Sequence, residues 1–136
     1  VCACAALAAL ACGGASPAPV RVLLVGDSIT RGVVAGQGGP PYAERLAELL
    51  GDGYAIANLG IGGTNTQDWT RPAAQARFAR EAPADLAVVL LGTNDAMGHP
   101  RREPLTPESY ESALRELIGG LVASGVERVI LMTPPP

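Results

Sequence analysis

Three short stretches hold the residue types that do chemistry: Gly26-Asp27-Ser28-Ile29-Thr30, Gly60-Ile61-Gly62-Gly63-Thr64-Asn65-Thr66 and Gly92-Thr93-Asn94-Asp95. The first offers a serine hydroxyl beside a carboxylate. Such a hydroxyl is a poor nucleophile until a base takes its proton and donors stabilise the oxyanion formed on attack at an acyl carbonyl. Donors are in supply: the backbone N–H of Ser28, a backbone N–H in the Gly62-Gly63 turn, and the side-chain amide of Asn94. Glycine lets the main chain close on a substrate, and a carboxamide donates without bringing a charge. Singly, each stretch has a plainer reading, since Gly-Asp-Ser or Asn-Asp at a strand end can be a turn that caps a helix. Together, at this spacing, they fit acyl transfer.

Other chemistries fail on the residues. GxxxxGK[ST], which would cradle phosphate, is absent, and GxSxG fails because Thr30 stands where its second glycine belongs. Asp27 has no second aspartate at a metal-sharing position, and no Cys/His grouping has metal-ligand spacing. Neither a metal nor another cofactor is expected. With 10 basic against 13 acidic residues, a net charge of −3 offers nothing to a nucleic-acid backbone.

The hydropathy pattern indicates what positions these stretches. Val20, Val22, Leu23, Leu24 and Val25 form a run of branched aliphatics broken only by Arg21, the mark of a strand buried on both faces; Ala55 to Leu59, Leu86 to Leu91 and Val129 to Met132 read as three further strands, Leu86 to Leu91 the most apolar. Between them, helical spacing recurs over about Pro41 to Leu50, with Ala43, Leu46, Ala47 and Leu50 on one face, and over about Gln67 to Arg80. The clearest helix carries Tyr110, Ala113, Leu114, Leu117, Ile118, Leu121 and Val122 at three- and four-residue steps. Strands alternating with helices imply parallel pairing with right-handed crossovers, hence a three-layer α/β/α sandwich. Each polar stretch follows a strand, so all three should meet along the carboxyl edge of the sheet, where open α/β sheets bind ligands.

In order and spacing, Gly26 to Thr30, Asn58 to Gly63 and Gly92 to Asp95 resemble the first three sequence blocks of the SGNH, or GDSL-type, hydrolases, over about Val20 to Pro136. The closing Thr133-Pro134-Pro135-Pro136 is similar to the end of that family's next core strand. The resemblance implies a flavodoxin-like fold and hydrolysis of small acyl esters, lipids or acetylated sugars. It implies Ser28 as nucleophile, the backbones of Ser28 and Gly63 and the side chain of Asn94 as oxyanion donors, and Asp27 as structural support. A non-catalytic acyl- or carbohydrate-binding module on the same fold is the alternative.

One part of the family pattern has no counterpart. The general base there is a histidine with an aspartate three residues before it; the single histidine here, His99, has Ala96 at that place. The 136 residues are therefore expected to be an N-terminal portion of an esterase, nearly inactive alone, whose sheet lacks its last strand or helix and exposes an apolar edge.

The opening VCACAALAALAC, followed by GGASPAP, resembles the apolar part and cleavage region of an export signal joined part-way along, so residues 1–19 are read as signal and linker and 20–136 as the hydrolase domain. Cys12 is a candidate for lipid attachment, although Ala9 stands where a lipoprotein signal has leucine, which favours plain secretion. Twelve residues are too few to span a bilayer as a helix. All three cysteines fall in this stretch, which leaves no disulfide to staple the domain.

Overall fold

Strand β1, Val20–Gly26, is the centre of the molecule: Val22, Leu23, Leu24 and Val25 are each at most 2% exposed. The computed structural model describes residues 17–33, 40–98 and 102–134. The export-signal stretch through residue 16, with Cys12, and also residues 34–39 of the first loop, His99 and Arg101, lie outside the described residues.

β1 pairs in parallel with β2 (Tyr54–Asn58) on one side and β3 (Leu86–Leu90) on the other; β4 (Val129–Met132) adds to β3. The order β2-β1-β3-β4 means the chain leaves β1 in one direction and returns on the other side of it. Loops that diverge in this way open a crevice between the carboxyl ends of β1 and β3. Gly26-Asp27-Ser28 ends β1, and Gly92-Thr93-Asn94 follows β3.

Alternate residues of the strands divide between two apolar layers, as the pleat requires. Leu23, Val25, Ala87 and Val89 meet Trp69, Phe78, Leu117 and Leu121, which come from a 3₁₀ turn (Thr66–Thr70), α3 (Pro72–Glu81) and α5 (Pro107–Ala123). Val22, Leu24 and Val88 meet Ala43 of α2 (Tyr42–Leu50), with Tyr42 and Leu46 packed alongside. Helices thus cover both faces, and the three-layer parallel arrangement expected from the sequence is the one found. Trp69 and Phe78 stack with ring centroids 5.7 Å apart, fastening the turn that follows the second loop to α3.

Several details differ from expectation. Ala47 and Val122, assigned to buried helix faces, are exposed. Val122 is turned about 100° from the buried Leu121, past the edge of the apolar stripe. α2 lies on β2, the outermost strand on its side, so its later turns reach beyond the sheet. The single helix expected over Gln67 to Arg80 is two pieces. Pro72 has no N–H to give and holds Arg71 extended (φ −70°, ψ 151°), so the helix restarts there. Two short helices, α1 (Ser28–Arg31) and α4 (Thr93–Met97), occupy stretches read as loops. Ile130, Leu131 and Met132 are about half exposed along the free edge of β4.

α5 starts at Thr106, whose hydroxyl accepts from the Ser109 N–H at 3.2 Å, with Pro107 as the first helical residue. Thr106→Ala is expected to lower stability by about 1 kcal/mol, the usual worth of such a cap. Urea unfolding that shows a lower midpoint and an unchanged slope is the check.

Candidate active site

The site is built from three βα junctions, and hydrogen bonds tie each to the next. At the end of β1 the chain turns directly into α1, with Asp27 as N-cap; one carboxylate oxygen accepts from the Ile29 N–H at 2.8 Å. The plain reading of Gly-Asp-Ser as a turn that caps a helix is therefore the one found, and it puts Ser28 at the first helical position. As the first helical residue, Ser28 has an N–H with no acceptor inside the helix. None is supplied to it elsewhere among the described residues.

The second junction is pressed against the first. Asn58, the last residue of β2, donates to the Thr30 carbonyl at 2.7 Å and accepts from the Gly60 N–H at 2.9 Å. Gly60 is needed because a Cβ there would lie 2.4 Å from the Arg31 nitrogen. A Cβ on Gly62 would sit 3.9 Å from Ser28 Cβ, so the Gly62-Gly63 turn flanks the serine. Gly63 has φ +75°, in the left-handed region that costs any residue with a Cβ. Its N–H likewise serves no protein acceptor among the described residues.

From the third junction, Asn94 Nδ2 donates to the Thr64 carbonyl at 2.8 Å and stands 3.5 Å from an Asp27 carboxylate oxygen. One carboxamide thus touches both other loops. The next residue repeats the connection: Asp95, 3% exposed, accepts from the Thr66 N–H at 2.9 Å through one oxygen, while its other oxygen is buried with no partner.

The expected residues Asp27, Ser28, Gly63 and Asn94 therefore lie on adjoining loops at one end of the sheet. Sequence reasoning did not single out Thr64, Asp95 or the role of Asn58 as a clasp. Asn65 and Asp68 form a reciprocal capping box that starts the 3₁₀ turn. A polar cap followed three residues later by an acid was a legible signal for it. Asp95 gave none, because burial of a carboxylate depends on what the remaining chain lays over it. His99 is outside the described residues, and no group of three or more His, Cys, Asp or Glu able to hold a metal occurs among those described.

Residues 24–136 match the model of the GDSL-like lipase/acylhydrolase family. The chain belongs to that family. It is 34% identical over 139 residues to the isoamyl acetate-hydrolyzing esterase 1 homolog of Rattus norvegicus, an alignment taking in 96% of this chain and 53% of the rat protein. The chain spans about half the length of the curated relatives it matches. Among solved structures it is similar to an inhibitor-bound aryl esterase of M. smegmatis, with TM-score 0.66 and 27% identity over 86% of this chain and 65% of that one. It is also similar to an acetylxylan esterase from Geobacillus stearothermophilus, with TM-score 0.62 and 25% identity over 86% of this chain and 60% of that one. That esterase was solved as two catalytic mutants, one altered at an aspartate and the other at a histidine three positions on.

Within this family fold, Asp27 has its pKa raised above the ordinary carboxylate value of 3.8, chiefly by burial and further by the charge of Asp95. The folded protein therefore holds the Asp27 proton more tightly than the unfolded chain does. Stability falls as pH rises from 3.8 to the raised folded value, then stays at the lower level. Asp27→Asn keeps an oxygen for the Ile29 N–H and removes the buried charge. The variant is expected to be more stable than the parent at pH 7, with a flatter pH dependence in that window, measured by urea unfolding across a pH series.

Proposed function

We propose that this chain carries the nucleophile and oxyanion hole of a carboxylic ester hydrolase that acts on short-acyl esters, acetates foremost. The observation that carries the reading is the Asn94 carboxamide, within 2.8 Å of Thr64 and 3.5 Å of Asp27, which joins the glycine turn to the loop of Ser28 at the switch point of the sheet. Ser28 Oγ attacks the acyl carbonyl, its proton passes to a base, and the carbonyl oxygen becomes an oxyanion. The N–H of Ser28, the N–H of Gly63 and the Asn94 amide donate to that oxygen. Asp27 holds the loop and does not react. Collapse of the tetrahedral intermediate expels the alcohol and leaves an acyl-serine, which water then cleaves.

The acyl group is inferred from the relatives, one named for isoamyl acetate and another an acetylxylan esterase. The base is inferred to be a histidine with an aspartate three residues before it, in keeping with the two catalytic mutants of that acetylxylan esterase. His99, with Ala96 three places before it, is not that pair. The apolar opening of the chain is read as an export signal, which puts the substrate outside the cytoplasm.

With no such pair in the sequence, these 136 residues by themselves should turn over 4-nitrophenyl acetate only at the residual rate of an oxyanion hole, roughly 10³ to 10⁴ above water. Added imidazole, supplying a base from solution, is expected to raise the Ser28-dependent part of the rate. Fast turnover without imidazole would overturn the assignment of the base. An imidazole response that persists unchanged in Ser28→Ala would overturn that of the nucleophile.

A further inference from the structure

A second feature adjoins the proposed oxyanion turn. Ile61, Gly62, Gly63 and Thr64 form one wall of a cavity of about 350 Å³ whose other walls include Arg71, Arg77 and Arg102. Among the described residues the only acid on its lining is Asp68, which pairs with Arg71 at 3.3 Å and with Arg102. Three guanidinium groups against one carboxylate leave an excess of two positive charges. Arg31 adds a fourth guanidinium nearby, since its terminal nitrogen would lie 3.9 Å from a Cβ on Gly62.

That concentration runs against the protein as a whole, which carries a net charge of −3. Solvated surface arginines need no explanation singly. Here they converge from the 3₁₀ turn's end (Arg71), α3 (Arg77) and the segment before α5 (Arg102) onto the backbone of one glycine turn. Arg77 donates to the Leu59 carbonyl at 3.3 Å, which fixes its head group beside the second loop. The fork-like guanidinium suits a carboxylate or a phosphate, which it can grip with two donors at once.

We infer that the arginine-lined cavity beside Gly62-Gly63 binds an anionic group on the alcohol part of the ester, so that the substrate is an acidic ester and not a neutral one. This rests on the proposed use of the Gly63 turn to hold the acyl oxygen. The acyl group lies at Ser28, and the acidic group extends past Gly62 and Gly63 toward Arg71, Arg77 and Arg102. Carboxylate and phosphate share this chemistry.

The test compares two acetate esters of equal size class, 4-acetoxybenzoate with one negative charge and its neutral methyl ester. Binding to the 136-residue chain is followed through the backbone amide shifts of Gly62, Gly63 and Thr64. The acid is expected to bind about tenfold tighter at low ionic strength, with the advantage shrinking toward zero in 0.5 M NaCl. Arg71→Gln and Arg77→Gln should each reduce the preference, and Asp68→Asn, which keeps an acceptor for the Asn65 N–H, should enlarge it. A structural disturbance would not move the preference in opposite directions. 4-Acetoxyphenyl phosphate, which carries a phosphate on the same aryl alcohol part, run beside 4-acetoxybenzoate, separates a phosphate-selective cavity from a carboxylate-selective one. Equal affinity for acid and methyl ester, or a preference untouched by all three substitutions, would overturn the inference. In that case shifts at Gly63 with the neutral ester would still support the ester-binding role of the turn, whereas no shift with either ester would count against both.

Discussion

Ser28→Ala is expected to lower ester turnover by about 10⁴ to 10⁶ in any form of the protein where a histidine base reaches residue 28, the scale seen when a serine nucleophile is deleted from a triad. The loss is so large because, among the described residues of this loop, no other group is free to take over. Thr30 is the nearest other hydroxyl on the loop, and it is fully buried, with Tyr42 donating to it at 3.2 Å. Asp27, a carboxylate, is 2% exposed and turned into the loop by the Ile29 N–H. Ser28, half-buried at the first position of α1, is the hydroxyl left accessible. A fluorophosphonate provides the independent readout: one adduct per chain on Ser28 in the parent and none in the variant, by intact mass. The substitution removes one oxygen from a residue whose backbone alone maintains the helix start, so the free energy of unfolding in urea should stay within about 0.5 kcal/mol of the parent. Adduct formation that survives in Ser28→Ala would assign the nucleophile elsewhere.

How far the sequence discloses this arrangement depends on the kind of interaction involved. β1 and β3 are legible because a parallel strand buried on both faces must be apolar throughout, and Val22 to Val25 and Leu86 to Leu90 are. The meeting of the three loops follows from strand direction alone. The glycines are legible too, since close approach at Gly60 and positive φ at Gly63 each exclude a side chain. Exposure at helix margins is not: Val122 continues the apolar spacing of α5 and still faces solvent, because the width of the buried stripe is set by the neighbouring layer. Short helices at Ser28 and Thr93 escape for a related reason. Four or five residues carry too little periodicity to declare themselves and are held by contacts from other loops. The pairing of Asp95 with Thr66 spans 29 residues, and no local pattern encodes it.

Asn94 is the residue in which local pattern and long-range contact meet, and its replacement carries the second large effect. In the proposed reaction its Nδ2 has two protons to donate. One is committed to the Thr64 carbonyl at 2.8 Å; the other points toward Asp27, whose oxygen is 3.5 Å away, too far for a strong bond. A substrate oxyanion would offer that second proton a shorter and charge-assisted partner, so the interaction strengthens as negative charge develops. Asn94→Ala is accordingly expected to lower kcat by about 10² to 10³ with little change in KM, the cost of one oxyanion donor. Asn94→Asp separates that role from simple loop support. It keeps the shape but sets a carboxylate against the Thr64 carbonyl, the Asp27 carboxylate and any oxyanion, so its kcat should fall below that of the alanine variant. A variant pair in which Asp matches or exceeds Ala would mean that Asn94 supports the loop and does not donate to the reacting oxygen.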